Sequence, residues 1–233
     1  MSNQLVLPIG LPDDARFANF LTEGDSARAQ AVNLLHRVNE GEPSFLYLWG
    51  GSGSGLSHLL QAAGNDCGDA GGTVQYLPLD QLLDYAPADV LAELEHLDVV
   101  CLDQLHSVCG NAAWEQALFH FYNLQRAAGG QLLVAANCAP RELKLNLEDL
   151  RSRLAAGVVM HLPDYSDAQK MAILQFRAAQ LGLDLAAEPA RLILHRAARS
   201  MGALIACLQQ LDRAAFAQRR KPTVPFIKQV FGW

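Results

Sequence analysis

The stretch Ser44-Phe45-Leu46-Tyr47-Leu48-Trp49-Gly50-Gly51-Ser52-Gly53-Ser54-Gly55-Leu56-Ser57-His58-Leu59-Leu60-Gln61-Ala62-Ala63 decides the fold. Ser44 to Trp49 is rich in aromatic and aliphatic side chains, Gly50 to Ser57 is a Gly/Ser loop, and Ser57 to Ala63 has helical character, so the unit predicted is strand, tight loop, helix. Gly50 to Ser57 has the spacing of a Walker A loop, in which glycines let backbone N–H groups turn inward around phosphates at a helix N-terminus. Position 56, where that motif needs Lys, is Leu. The backbone donors and the Ser57 hydroxyl, a candidate Mg²⁺ ligand, remain, while the cation that pairs with the β- and γ-phosphates is gone. A glycine-rich turn without a ligand is the competing reading of this loop.

Working outward, short apolar runs at Thr73 to Leu79, Leu97 to Leu102, Gln131 to Ala136 and Val158 to Leu162 alternate with segments of helical spacing. In the helix expected after Asn111, Trp114, Leu118, Phe121 and Gln125 trace one stripe. Buried strands alternating with helices imply an α/β fold with a mostly parallel sheet covered on both sides. Beyond Pro163 the strand signals stop. Helical patterns follow at Ser166 to Leu181, Glu188 to Arg199 and Met201 to Arg219, with a short element near Pro225 to Val230. Glycine-rich Asn65 to Gly72 reads as a mobile loop.

The chain has 233 residues, more than one domain at roughly 150 residues each, and its 51% hydrophobic content is ample for a core. Charged residues are 18%, with 18 Lys+Arg against 24 Asp+Glu and a net charge of -6. That balance argues against sequence-independent grip on DNA, which needs clustered cations. No apolar run approaches the roughly 20 residues that cross a bilayer, and Met1 to Gly10 has neither the basic residue nor the unbroken apolar core of a secretory signal. A cytoplasmic protein without membrane contact is expected. The cysteines at 67, 101, 109, 138 and 207 lack the close pairing of zinc ligands and read as reduced, partly buried thiols.

Val99 to Gln104 is an apolar strand ending in Asp103, as a Walker B strand does, and Asp103 is placed to support Mg²⁺ through water. The following residue is Gln104, which orients a water by hydrogen bonding but takes no proton. Leu132 to Asn137 ends in an amide at the carboxyl edge of the sheet, where open parallel sheets bind ligands. The plain alternatives are a capping Asp103 and a turn-forming Asn137. Gln4-Leu5-Val6-Leu7-Pro8-Ile9 is an apolar hexapeptide where chain ends are usually loose and polar.

Taken in order, the Gly50 to Ser57 loop, Asp103-Gln104, Asn137, Asp149-Leu150-Arg151-Ser152-Arg153-Leu154 and Arg199-Ser200-Met201-Gly202-Ala203-Leu204 resemble the successive motifs of the AAA+ family, in its DnaA/Hda branch. The resemblance extends over nearly the whole chain, Phe17-Ala18-Asn19-Phe20 included. It implies an AAA+ P-loop fold divided into residues 1–12 as a clamp-binding peptide, 13–162 as the nucleotide-binding base and 163–233 as a helical lid. It further implies a nucleotide site of Gly50, Gly51, Ser52, Gly53, Ser54, Gly55, Leu56 and Ser57 with Asp103, with Asn137 as sensor 1 and Arg199 as sensor 2. ADP or ATP, weakly held, is the implied cofactor, with Ser57 and Asp103 on Mg²⁺. Gln4, Leu5, Leu7, Pro8 and Ile9 resemble the peptides that dock replication proteins onto the DNA polymerase III sliding clamp. DnaA initiators carry a helix-turn-helix domain after the lid, whereas this sequence ends at Trp233, so the resemblance implies a regulator without sequence-specific DNA binding. That regulator, tethered to the clamp, stimulates hydrolysis of ATP bound to the initiator DnaA through Arg153, an arginine finger supplied in trans. The competing reading of Arg153 is a surface pair with Asp149. A self-sufficient ATPase of the helicase-loader type and a clamp-binding adaptor with a vestigial site are the alternatives, and a homo-oligomer is compatible with each.

Overall fold

The computed structural model describes residues 11–12, 14–38, 41–42, 44–198 and 200–233. The clamp-peptide residues Gln4, Leu5, Leu7, Pro8 and Ile9, and Arg199, lie outside the described residues. The described residues form two compact units, one from those up to Gly51 with Gly55–Pro163, the other from Ser52–Ser54 with those from Asp164 to Trp233.

In the first unit the elements run α1 (Ser26–Val38), β1 (Phe45–Trp49), α2 (Leu56–Asp69), β2 (Val74–Pro78), α3 (Pro87–Val90), β3 (Val99–Asp103), α4 (Ala112–Ala128), β4 (Gln131–Ala136), α5 (Glu148–Ala155) and β5 (Val158–His161). The strands form one parallel sheet in the order β2-β3-β4-β1-β5. Because successive side chains of a strand point to opposite faces, Phe45 and Tyr47 enter one apolar cluster with Val100, Leu102, Leu132 and Val134. Leu46 and Leu48 enter the other, with Cys101, Leu133 and Ala135. The helix α2 covers the second face through Leu59, Leu60 and Ala63, and α4 covers the first through Trp114, Leu118 and Phe121. The α4 stripe expected from spacing is thus the buried one, and Asn111 starts the helix by accepting hydrogen bonds from the N–H groups of Ala113 (3.1 Å) and Trp114 (3.3 Å). The buried Arg28 of α1 pairs with Asp25 and donates to the carbonyl of Pro163.

The second unit is helical, with α6 (Asp167–Gln180), α7 (Ala187–Arg196), α8 (Met201–Gln218) and α9 (Val224–Phe231). Its own core joins Leu174, Ile193, Leu204, Leu208, Leu211, Phe226 and Ile227. Ser166 opens α6 with a capping box, its hydroxyl accepting from Gln169 N–H while the Gln169 side chain accepts from Ser166 N–H.

Three expectations are corrected. Asn65 to Gly72 is no mobile loop, since α2 continues to Asp69. The Asn65 amide is buried there and donates to the carbonyls of Pro12 and Ala15, and a Cβ at Gly64 would come within 3.1 Å of Leu11. Close packing therefore explains the nearby glycine, and only the end of the segment turns. The strand expected to start at Leu97 starts at Val99, because Asp98 is taken by Thr73, whose N–H and hydroxyl both donate to its carboxylate at 2.7 Å. The helix expected to reach Arg199 ends at Arg196, with Ala197 already extended.

Trp114 is fully buried, yet its indole N–H has no hydrogen-bond partner among the described residues. Its value is therefore volume, not polarity. Trp114→Phe, which leaves the smaller cavity, is expected to lose less than Trp114→Ala, which is expected to lose about 3 to 5 kcal/mol, both read from urea unfolding midpoints.

Candidate nucleotide site

Parallel pairing carries three loops to one edge of the sheet. Trp49 is opposite Ala136 in the β1–β4 register, and the N–H of Gly50 donates to the Ala136 carbonyl at 3.2 Å. Leu102 is opposite Val134 in the β3–β4 register. The glycine loop, Asp103-Gln104 and Asn137 therefore leave neighbouring strands at the same carboxyl edge.

Gly53 and Gly55 have φ of +82° and +99°, a region that residues with a Cβ rarely enter. Gly55 is the N-cap of α2 and offers no side chain to the first N–H groups of that helix. Those donors, with the positive end of the helix dipole, suit an anion. Leu56 is half-buried and packs against the apolar cluster that contains Leu59 and Leu60. An aliphatic side chain thus occupies the position from which a lysine would serve phosphates. Ser57 is half-buried in the first turn.

Asp103 is buried, and both of its oxygens are engaged. The Tyr76 hydroxyl donates to Oδ2 at 2.7 Å and the Gln104 N–H to Oδ1 at 2.8 Å. Burial, and then the Asp103 charge, raise the Tyr76 phenol above its ordinary value, so it stays a donor; the Gln61 side chain of α2 also hydrogen-bonds it. Each Asp103 oxygen keeps a second lone pair, so Ser57 and Asp103 fit a water-mediated role toward Mg²⁺. No group of three His, Cys, Asp or Glu suited to direct metal binding occurs among the described residues. Gln104 has φ 56° and ψ 38°, a left-handed conformation costing roughly 1 to 2 kcal/mol for a residue with a Cβ. The strain falls at the carboxyl end of the Walker B-like strand.

Asn137 is exposed at the end of β4. Its N–H donates to Nδ1 of His106 at 3.3 Å, and the hydroxyl of buried Tyr47 donates to the next carbonyl, that of Cys138, at 2.9 Å. Sequence reading missed Tyr47, Tyr76 and His106. The signal for the tyrosines was a hydroxyl inside an otherwise apolar strand, since such a group needs a partner. Nε2 of His58 lies 3.0 Å from the Arg16 carbonyl, and its ring is stacked on Phe20.

Arg153 is in the last turn of α5, exposed, with no ion pair among the described residues. The expected alternative partner, Asp149, does not pair with it. Arg151 instead pairs with Glu148 at 2.8 Å and donates to the carbonyls of Leu143 and Leu145.

Residues 11–161 match the family model described as the bacterial DnaA ATPase domain, and residues 167–231 match that of the Hda lid domain. Domain III of the replication initiation protein DnaA from Thermotoga maritima is similar in fold, with TM-score 0.79 and 19% identity over 96% of this chain and 98% of that one. AMPPCP-bound DnaA from Aquifex aeolicus gives TM-score 0.72 and 19% identity over 90% and 68%. The Thermotoga maritima RuvB Holliday junction branch migration motor gives 0.66 and 17% over 90% and 68%.

The Nδ1 of His106 accepts a hydrogen bond only while unprotonated, and burial lowers its pKa below the ordinary 6.5, against the opposing charges of Asp103 and Asp80. A histidine depressed in the folded state contributes stability that is full above the unfolded value and is lost as pH falls through the folded one. From about pH 7 to about pH 5 the wild type is expected to lose more unfolding free energy than His106→Gln, measured by urea unfolding at each pH. Parallel curves would remove His106 from the account.

Proposed function

The chain belongs to the bacterial DnaA ATPase-domain family, and on that premise we propose that it regulates replication initiation by stimulating hydrolysis of ATP held by the initiator DnaA. In this reading a segment at residues 1–12 tethers the chain to the DNA polymerase sliding clamp, residues 13–162 act as the base and 163–233 as the lid. The observation that supports it best is Arg153, an exposed guanidinium without an ion pair among the described residues, on a chain whose own loop carries Leu56 for Lys and whose Walker B-like strand is followed by Gln104. Such a chain is poorly equipped to hydrolyse its own nucleotide and well equipped to complete another site.

The chemistry asked of Arg153 is electrostatic. Water attacks the γ-phosphorus of the initiator's ATP, the bond to the bridging oxygen of ADP breaks, and charge accumulates on the transferred phosphoryl group. A planar guanidinium stabilises that charge through paired N–H donors. A finger in trans is worth roughly 10³ to 10⁵ in rate. The chain's own loop is proposed to hold ADP or ATP weakly through backbone N–H groups, Asn137 and Arg199. Mg²⁺, when bound, would neutralise phosphate charge beside Ser57 and Asp103.

Initiator ATP turnover with DNA-loaded clamp tests the proposal. Wild type is expected to accelerate it, and Arg153→Ala to lose roughly 10³-fold or more of the acceleration while still binding the clamp. Arg153→Lys should rescue poorly, since it restores charge without the fork. Exposed Arg141→Ala is the charge control; Arg151 is unsuitable because it holds the loop before α5. Acceleration by Arg153→Ala equal to wild type would end the finger mechanism, and turnover independent of the initiator would indicate a self-sufficient ATPase.

The tether is tested separately. Replacing Gln4, Leu5 and Leu7 together by Ala is expected to abolish clamp capture and leave the melting temperature unchanged, because the tether's contribution is effective concentration near the initiator. A triple variant that still binds the clamp would place the tether elsewhere.

A further inference from the structure

Glu115 is a carboxylate in the first turn of α4, and only 1% of it is exposed. Burying a charge is costly unless its lone pairs are met, and here they are met entirely by backbone. Oε1 accepts from Gly110 N–H at 2.7 Å and from Asn146 N–H at 3.2 Å; Oε2 accepts from Asn146 N–H at 2.9 Å and Leu147 N–H at 2.8 Å. Leu147 is the N-cap of α5 and brings no capping side chain of its own. Asn146 adds a bond from its side-chain amide to the Gly110 carbonyl at 3.4 Å. The carboxylate therefore ties Gly110, the residue before the N-cap of α4, to the entry of α5, from a helix anchored in the core by fully buried Trp114.

We infer that Glu115 is a positioning residue for Arg153, acting by fixing the start of α5 from α4, an inference that rests on the trans-activation reading above. The reach is short: α5 has eight residues, so a rotation or slip at Leu147 is carried to Arg153 with less than two turns of helix between. A finger misplaced by about 1 Å loses its geometry with the transferred phosphoryl group. Gly110 sits on the same carboxylate, so the entry of α4 and the entry of α5 share one anchor. Arg151 reinforces it from the other side through the carbonyls of Leu143 and Leu145.

The amide of Glu115→Gln keeps the length but presents an NH₂ toward backbone N–H groups, and the full-length variant is compared with wild type in two readouts. The first is hydrogen exchange of the 143–155 segment, expected to become at least 10-fold faster while β4 and the remainder of α4 keep their protection. The second is stimulation of initiator ATP hydrolysis as a function of the variant's concentration. Its maximal rate is expected to fall at least 10-fold with the half-saturating concentration unchanged, a split that a generally weakened fold would not give. If Glu115→Gln does not accumulate as folded protein, Glu115→Asp, which keeps the charge and withdraws it by one methylene, is read in the same way. Unchanged exchange of 143–155 overturns the inference whatever happens to stimulation. Faster exchange with full maximal stimulation, in an assay where Arg153→Ala is inactive, also overturns it. If the wild type itself gives no stimulation, the trans-activation reading fails, and the exchange result still decides whether Glu115 holds the helix.

Discussion

Strands β1, β3 and β4 are each paired on both edges and covered on both faces. Backbone groups in that position have no access to water, so they are satisfied by the neighbouring strand or not at all. Parallel pairing in register is the arrangement that does this here, and it forces every carboxyl end to the same edge. The juxtaposition of Gly50, Asp103 and Asn137 is a by-product of that requirement. No contact among those three residues is needed to hold them near one another.

The same burial gives the few polar atoms in the core a second task. A buried hydroxyl or carboxylate without partners costs several kcal/mol, so each one selects a loop conformation that supplies them. Tyr47 selects the turn at Cys138, Tyr76 the orientation of Asp103, and Glu115 the entry to α5. The two tyrosines reach the carboxyl edge of the sheet, and Glu115 reaches the entry of the helix that carries Arg153. Rigid scaffold and functional loop are thus joined by a small number of charge-assisted or buried bonds, and the strained Gln104 is held within that frame.

Arg151 and Arg153 show how far local sequence carries. They are two residues apart with the same charge, and a rotation of about 200° along the helix sends one to the loop carbonyls and the other to solvent. Charge and spacing did not distinguish them, and among the described residues the competing Asp149 pair is not formed while Glu148 takes Arg151. Asn65 to Gly72 is a similar case. Glycine content suggested a loop, yet the helix persists because Gly64 allows close contact and Asn65 finds two carbonyls more than 40 residues away in sequence.

The α/β base, the helical unit after Pro163 and the glycine loop between β1 and α2 were legible in the sequence alone. Each depends on periodicity or on glycine's access to positive φ, properties carried by neighbouring residues. That position 56 is Leu where a Walker A loop needs Lys, and that position 104 is Gln, was equally plain, since residue identity needs no structure to be seen. Tertiary structure alone decided which carboxylate is buried, which tyrosine holds Asp103, that His106 accepts from Asn137, and which arginine of α5 is exposed. Apart from the local bonds at Gly110 and Glu148, those outcomes depend on partners 6 to 32 residues away, and a hydrogen bond across that separation leaves no periodic signal in the chain.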